Sequence, residues 1–345
     1  MRLNLVGVQA RMTLADYASG EAFRRKIGDL AEQAVRAAEP GAPTLVVFPE
    51  GIGLYLSFVP FHYRRLAAAR SLAAAAKALA PVLPHFAWQG LRRGVLSPAV
   101  IALDHAVEAE AIYRETFSEI AAQYRIYVVG GSMFLPYIDH DAIGGARALD
   151  RRTRATCYSF SPTGALLGRT HKVHPAPGLE ARLGLTPGAV SDLLPMQTAI
   201  GNIGVLICMD GFYRSLWERM DGLGTHVLCM PSYEMSHWEQ RSWLDPAITQ
   251  GEQWLRDGMP TLIQGRENIR YGINPMLVGD ILGLYAEGRT TVSMNTGDPR
   301  SWPPDAIIAM APDPTEEAMV AACVEAPWLE APAYTAPRAG TSRLA

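Results

Sequence analysis

An α/β fold is the class that this sequence predicts, and three observations point to it. Short β-branched and apolar runs alternate along the chain with segments of good helix formers, which is typical of strand–helix–strand units. The first such unit is complete near the N-terminus, with a strand at 3–10, a helix at 21–38 and a short buried strand at 44–50. The composition, 49% hydrophobic and 19% charged over 345 residues, supplies ample apolar material for a core.

The remaining elements repeat this rhythm, with a hairpin among them. Thr163-Gly164, flanked by alternating residues, predicts the hairpin turn. In chain order we predict the end of a helix at 116–123, a strand at 124–134, hairpin strands at 155–162 and 165–173, a strand at 200–210, a helix at 215–224, a strand at 225–232, a helix at 252–259 and a strand at 260–268.

Residues 55–115 do not fit the alternation. They are rich in alanine, which favours helix, and we expect two or more helices broken near Pro81 and Pro84. We therefore predict one domain over residues 1–300 with a helical insertion at about 55–115. Residues 301–345, rich in proline and alanine, are predicted to be a C-terminal tail on the surface or against a partner subunit.

Charge and cysteine content exclude several classes of protein. A net charge of −3 argues against nucleic acid or an acidic membrane surface as the main partner. The sequence contains no run of 18 apolar residues, so it predicts no membrane span. The N-terminus resembles a strand more than a signal peptide. The four cysteines form no C-x-x-C pair and are too few for a disulfide scaffold, so we expect no metal cluster and a cytoplasmic location.

Three short strings carry most of the chemistry. TLVVFPEG contains Glu50, GRTHKVHPAPGLE contains Lys172, and GNIGVLICMDG contains Cys208. Each string places one reactive side chain at the end of an apolar run. A carboxylate, an amine and a thiol brought together in this way would form a base, a charge stabiliser and a nucleophile.

Each of the three residues also has an ordinary explanation. Cysteine is commonly buried, glutamate at a strand end is often exposed, and lysine is usually solvated. Cys208, however, lies at a predicted strand-to-helix turn, where backbone N–H groups would lower the thiol pKa and hold an oxyanion. His171 and His174 lack an acidic partner at metal-ligand spacing, so we expect hydrogen-bonding roles for them.

The other three cysteines lack the turn context of Cys208. We interpret them as core residues: Cys157, Cys229 and Cys323.

Together the strings resemble the nitrilase superfamily of carbon–nitrogen hydrolases. The resemblance rests on FPEG, on GRTHKVH with Glu180 following, and on GVLICMD with a downstream Pro-Ser, and it extends over roughly 3–54 and 113–295. It implies a four-layer α-β-β-α sandwich, no cofactor, and a homodimer or larger homo-oligomer. It makes Glu50 the general base, Lys172 the oxyanion stabiliser, Cys208 the nucleophile, and Glu180 a second carboxylate that helps position the substrate.

The resemblance favours hydrolysis of a small amide or N-carbamoyl compound through a cysteine thioester. Met209-Asp210 follows the cysteine where nitrilases usually have Trp-Glu, and amidases and carbamoyl hydrolases more often have aspartate at that place. Three alternatives stay open: a nitrilase, an acyltransferase that accepts an amine, and a catalytically silent binding or scaffold subunit.

For substrate binding we predict the backbone of Met209 together with Tyr233 and Glu234. The last two lie in an aromatic-rich loop, whose tryptophans would alternatively pack in the core or against a partner.

The insertion at 55–115 is longer than the resemblance implies at that place. Because it begins close after Glu50, we expect it to cover the active-site mouth or to form a subunit contact. A membrane-surface role is a less favoured alternative, since alanine buries little apolar area per residue.

Overall fold

Two large β-sheets with helices on their outer faces form the structure. The computed structural model describes residues 1–95, 99–140, 145–298 and 303–329. Within these ranges the strands are β1 Arg2–Arg11, β2 Thr44–Val47, β3 Tyr127–Leu135, β4 Ile138–His140, β5 Ala146–Ala148, β6 Arg154–Phe160, β7 Leu166–His171, β8 Met196–Thr198, β9 Gly201–Val205, β10 Val227–Cys229, β11 Tyr271–Asn274, β12 Leu277–Ile281, β13 Leu284–Ala286, β14 Thr291–Met294, β15 Ile307–Met310 and β16 Ala318–Glu325.

Helices occupy the connections between the strands and most of the insertion. In the described ranges they are α1 Gly20–Ala37, α2 Val59–Leu66, α3 Leu72–Leu79, α4 Leu83–Arg93, α5 Ala99–Asp104, α6 Ala106–Tyr124, α7 Leu179–Leu183, α8 Arg214–Gly222, α9 Gln250–Asp257, α10 Met259–Leu262 and α11 Pro303–Ala306. Among the described residues, no helix combines the length and apolar character needed to cross a bilayer.

The strand order places β1 near the middle of the first sheet. That sheet runs β13-β12-β1-β2-β3-β6-β7, with β16 also paired to β1, and the second runs β15-β14-β11-β10-β9-β8. Parallel pairing joins β1, β2 and β3 in one sheet and β9, β10 and β11 in the other. The carboxyl ends of these parallel strands are where ligands commonly bind in α/β proteins.

Alternation along β1 shows how the layers form. Leu3 and Leu5 belong to the core between the sheets, whereas Val6 and Val8 belong to the core under α1 and α6. At Gly7 the sheets approach so closely that an added Cβ would lie 2.6 Å from Thr290. The result is four layers, α-β-β-α, as the family resemblance implies.

Most predicted elements are confirmed, but the strand predicted at 260–268 is wrong. Residues Met259–Leu262 are helical there. Pro260 lies in the first turn, where an N–H would have no partner within the helix, and its fixed φ suits the start of a helix. The strand of this region begins only at Tyr271. The hairpin at Thr163-Gly164 is confirmed by the antiparallel pairing of β6 with β7.

The insertion is helical as predicted, with breaks near the two prolines. A 3₁₀ turn follows α3, and Pro84 lies in the first turn of α4. The last ten residues of the predicted insertion belong instead to α6, which packs beside β3.

The predicted tail differs from what the structure shows. Ile307–Met310 lies in the second sheet, and Ala318–Glu325 pairs along nearly all of β1 in the first. Buried alternate positions such as Val320 and Val324 explain this pairing, because an apolar face on a strand needs a partner layer. Residues 330–345 lie outside the described part of the chain.

Candidate active site

Cys208 lies just beyond the carboxyl end of β9, at the start of a 3₁₀ turn. Its φ of +48° is unusual for a residue other than glycine and indicates a strained turn. The Cys208 N–H donates to the Pro231 carbonyl at 2.9 Å, which ties the turn to the segment after β10. The side chain is buried, so its sulfur faces the protein interior and the adjoining cavities rather than bulk solvent.

Glu50 follows β2 at the same edge of the structure. Beside it, β3 passes so close that a Cβ on Gly131, whose φ is +72°, would lie 2.0 Å from the Pro49 carbonyl oxygen. The Gly51 N–H donates to Ser132 Oγ at 3.1 Å. These contacts fix the turn that carries the Glu50 carboxylate into the interior, where its residue is only 3% exposed.

Lys172 joins the two carboxylates of the site. It follows β7, where its N–H donates to the Ala155 carbonyl at 2.9 Å. Its Nζ donates to Glu50 Oε1 at 2.8 Å and to Glu180 Oε1 at 2.9 Å. An ammonium group has three protons. One proton of Lys172 is therefore left to bind a third oxygen, such as that of a bound carbonyl.

Glu180 reaches this group from α7, after a loop that turns back from Lys172. The Ala176 N–H donates to Glu180 Oε2, which fixes the carboxylate within that loop. Glu180 is buried, and its closest cation is the Lys172 ammonium. The structure thus brings together all four residues predicted to be catalytic.

Burial and charge set the protonation of this group. Burial raises the pKa of Glu50 to about 7; Lys172 opposes the rise, and Glu180 adds to it. Burial alone would lower the pKa of Lys172, but the charge of Glu50, with that of Glu180, raises it. The resting site therefore holds an ammonium and a carboxyl group that titrates near neutrality.

The expected depression of the Cys208 pKa is wrong. Burial raises the pKa of this thiol well above its ordinary value, and the Glu50 carboxylate raises it further, against the effect of Lys172. The cause is that the turn is buried beside a negative charge, a feature that the local sequence does not reveal. Cys208 is accordingly a thiol at rest and needs a base to become a nucleophile.

Asp210, two residues after the cysteine, braces the chain that carries Lys172. Asp210 is fully buried. Its Oδ2 accepts from the Val173 N–H at 2.9 Å and its Oδ1 from the His174 N–H at 2.7 Å. The sequence marks Asp210 only as part of a motif, whereas the structure gives it a supporting role away from the cavity.

The two histidines beside Lys172 make hydrogen bonds, as predicted. His174 Nδ1 lies 3.0 Å from Asp210 Oδ1, and His171 Nδ1 lies 3.0 Å from Thr156 Oγ1. Within the described ranges, no three His, Cys, Asp or Glu side chains converge as a metal site would require.

Two adjoining cavities open at Cys208. The smaller, about 60 Å³, is a chamber around the reactive groups, lined by Glu50, Gly51, Leu54, Phe134, Lys172, Ala176, Pro177, Glu180, Cys208, Tyr233 and Met235. The larger, about 360 Å³, is within the range of small-molecule sites. It is lined by Ala176, Pro177, Cys208, Met209, Phe212, Tyr233, Glu234, Met235, Trp243, Leu244, Gln250, Gln253 and Trp254.

The predicted substrate-binding residues all line the larger cavity. The Met209 N–H donates to no group in the described part of the chain, so it is available to donate to a ligand oxygen. Burial raises the pKa of Tyr233 to about 12, so its phenol stays protonated. The sequence analysis missed Gln250, Gln253 and Trp254, although their i, i+3, i+4 spacing along one helix places them on a common face.

The predicted cover over the active-site mouth is not what the structure shows. Neither cavity is lined by a described residue of 55–115. Tyr63 and Arg70 of the insertion border a different groove, together with Asp280 and Leu282. The alternative expectation, a subunit contact, stays a prediction.

The chain is similar to known proteins in sequence and in fold. A family model described as carbon–nitrogen hydrolase matches residues 8–249. No curated protein sequence matches the chain significantly.

Among solved structures, a carbon–nitrogen hydrolase from Helicobacter pylori G27 is 17% identical at a TM-score of 0.63, covering 96% of this chain and 92% of its own. A nitrilase-superfamily amidase from Nesterenkonia AN1, solved as a cysteine-to-serine mutant, is 17% identical at 0.57, covering 96% and 93%. Nit3 of Saccharomyces cerevisiae, in branch 10 of that superfamily, is 16% identical at 0.57, covering 95% and 92%. These likenesses confirm the predicted four-layer sandwich of the nitrilase type.

Proposed function

Because the chain belongs to the carbon–nitrogen hydrolase family, we propose that it hydrolyses a small amide or N-carbamoyl compound through a thioester on Cys208. One observation carries the proposal: the Lys172 ammonium binds two buried carboxylates beside a buried thiol, and one of these carboxyl groups has its pKa raised to about 7. A base that titrates near neutrality suits proton transfer at physiological pH.

In the first half-reaction, Glu50 takes the proton of the Cys208 thiol. The sulfur attacks the carbonyl carbon, and the electron pair of the C=O bond moves onto oxygen. The third Lys172 proton and the free Met209 N–H stabilise that oxyanion. Glu50 then gives its proton to the leaving nitrogen, the C–N bond breaks, and ammonia or an amine departs from a thioester.

In the second half-reaction, water replaces the leaving group. Glu50 removes a proton from the water as it attacks the thioester carbon, and the same two donors stabilise the oxyanion. The C–S bond breaks, the sulfur recovers its proton, and the acid is released. Glu180 holds the Lys172 ammonium in place through both steps. Side chains and water are sufficient for this chemistry.

An amide is the preferred substrate among the alternatives. The structurally similar Nesterenkonia protein is an amidase, and a structure of its mutant carries the acetamide moiety of fluoroacetamide on the active-site cysteine. Asp210 lines neither cavity, so the preference for an amide does not rest on a contact between this residue and the substrate. A nitrile would use the same groups through a thioimidate, and an amine in place of water would make the protein an acyltransferase.

The test is mass spectrometry of the protein mixed with a panel of small amides, N-carbamoyl compounds and nitriles. We expect an acyl adduct on Cys208 and release of ammonia. Cys208→Ala should give neither, whereas Cys229→Ala, which changes a buried cysteine outside the cavities, should retain both. An intact wild-type protein that forms no adduct with any member of the panel would favour the silent binding subunit.

A homodimer or larger homo-oligomer in the cytoplasm remains part of the proposal. Large apolar side chains of the insertion are exposed, among them Trp88 at 55% and Leu91 at 75%. Such side chains on adjacent turns of a helix suit a subunit contact. All four cysteines are free thiols, which fits a reducing compartment.

A further inference from the structure

The larger cavity contains the Glu234 carboxylate, and no cationic side chain of the described residues pairs with it. Among the described residues lining this cavity, Glu234 is the only Asp, Glu, Lys or Arg. Its carboxylate accepts from Ser236 Oγ at 2.6 Å, Gln250 Nε2 at 3.1 Å and Trp254 Nε1 at 2.8 Å. All three donors are neutral, so the carboxylate is held in position while its charge stays uncompensated.

Gln250 holds the Glu234 carboxylate from the same wall. Its residue is 3% exposed, and its Nε2 donates to Glu234 Oε2. The Glu234 carboxylate fixes the orientation of this amide, because a carboxylate can only accept and must face the Nε2 group.

The rest of the cavity wall is apolar and partly aromatic. Phe212 and Trp254 pack edge to face at 4.8 Å, and Trp243 and Leu244 lie at the exposed rim. An apolar chain would be desolvated by these walls, and aromatic faces also attract cations. The combination of aromatic walls and one carboxylate is complementary to a cation on a hydrocarbon chain.

The two cavities differ in what each can hold. The chamber of about 60 Å³ contains Glu50, which must protonate the leaving nitrogen, and it has room only for a group of carboxamide size. The acyl chain must then occupy the larger cavity, which begins at Cys208 and contains Glu234 and Gln250. The distal end of the acyl group is therefore the part that the Glu234 carboxylate would meet.

We propose that the substrate is a primary amide whose acyl chain ends in a cation, such as an ammonium group, bound by Glu234. This inference rests on the proposed hydrolysis at Cys208 for the orientation of the substrate. Glu234 supplies the opposite charge, Gln250 and Trp254 hold its carboxylate in place, and the apolar walls contact the intervening methylene groups.

Matched substrates test this on the native protein. The probes are 4-aminobutanamide, 5-aminopentanamide and 6-aminohexanamide, each paired with the neutral isostere in which a methyl group replaces the ammonium. We expect kcat/KM for at least one ammonium compound to exceed that of its isostere by tenfold or more. Absence of any preference at all three lengths, or a preference for succinamic, glutaramic or adipamic acid, overturns the inference.

Variants identify the residues that carry the preference. Glu234→Gln should remove most of it, because kcat/KM should fall more for the ammonium compound, through a higher KM, than for the neutral isostere. Glu239→Gln is the matched control, since Glu239 is exposed in the same loop and lines neither cavity. Equal preferences in the Glu234→Gln and Glu239→Gln variants would also overturn the inference.

Binding to Cys208→Ala, measured by calorimetry, separates this inference from the proposed function. The ammonium compound should bind at least tenfold more tightly than its isostere. If this difference holds while the native protein hydrolyses no amide, hydrolysis is wrong and the cation site stands. If neutral amides are hydrolysed at Cys208 and the difference is absent, the cation site alone is wrong.

Discussion

Lys172 Nζ lies 2.8 Å from Glu50 Oε1, with the lysine 1% and the glutamate 3% exposed. Each charge compensates the other in a place where neither could be solvated. Glu180 binds the same ammonium, so two carboxylates share one cation. Burial, together with this excess of negative charge, is why the pKa of Glu50 rises to about 7 despite the lysine.

A pH profile should reveal that shift. The pKa of Glu50 is raised, so the carboxyl group keeps its proton up to about pH 7 and acts as a base only above it. We expect kcat/KM for an amide to fall about tenfold per pH unit below pH 7 and to level off above it. The measurement is steady-state hydrolysis between pH 5 and 8.5. A flat profile over that range would contradict the assignment of Glu50 as the base.

Lys172→Gln should damage both catalysis and stability. Loss of one oxyanion donor lowers kcat by about a hundredfold or more. Loss of the cation also leaves two buried carboxylates unpaired, which costs about 3–5 kcal/mol. That cost should be smaller at pH 5, where Glu50 is protonated, than at pH 8. Urea unfolding at the two pH values measures the difference. Lys77→Gln on the exposed surface is the control, and equal stability of the two variants would contradict this account.

Asp210→Asn should impair the chemical step without weakening substrate binding. The amide keeps the shape but cannot accept from both the Val173 and His174 N–H groups, so the segment after Lys172 loses its brace. We expect kcat to drop about tenfold or more while KM changes little, since a small displacement of an oxyanion donor is costly. Asp192→Asn, an exposed change, should leave both constants unaltered. Unchanged kcat in Asp210→Asn would mean that the brace is only structural.

The local elements and the reactive group follow from the sequence to a large extent. Runs such as 44–47 and the hairpin at Thr163-Gly164 are recognisable because their residues alternate or end at defined turn residues. Glu50, Lys172, Glu180 and Cys208 each belong to a recognisable string, and the structure places them within one site.

Features that depend on distant pairing could not be predicted in this way. Ala318–Glu325 pairs with a strand some 300 residues earlier, and nothing in its own composition identifies that partner. The pKa of Cys208 depends on burial beside Glu50, which is a property of the folded site. Gln250 and Gln253 looked like ordinary helix residues, because polar side chains on a short helix are usually exposed, and here they are buried against a cavity.

Alkylation should distinguish Cys208 from the other cysteines. Because burial and Glu50 raise the pKa of this thiol, inactivation by iodoacetamide should be slow at pH 6 and accelerate as the pH rises to 9. Cys323, the one cysteine that is not fully buried, should also be labelled, but without loss of activity. Peptide mapping alongside residual activity measures both events, with Cys323→Ser as the control. Activity loss that follows the Cys323 label would contradict the role proposed for Cys208.

Leu91→Glu should reduce the size of the assembly while the kinetics stay unchanged. Leu91 is 75% exposed on α4, one turn from Trp88 at 55%, so a subunit contact there would bury both side chains. A buried carboxylate at the contact would cost several kcal/mol and dissociate the subunits. Leu223→Glu, at a 39% exposed position just after α8, is the matched control. Light scattering coupled to size exclusion gives the masses.

Because α4 lines neither cavity, amide hydrolysis by Leu91→Glu should proceed at the native rate. Equal masses for Leu91→Glu and the native protein would exclude this face as the contact.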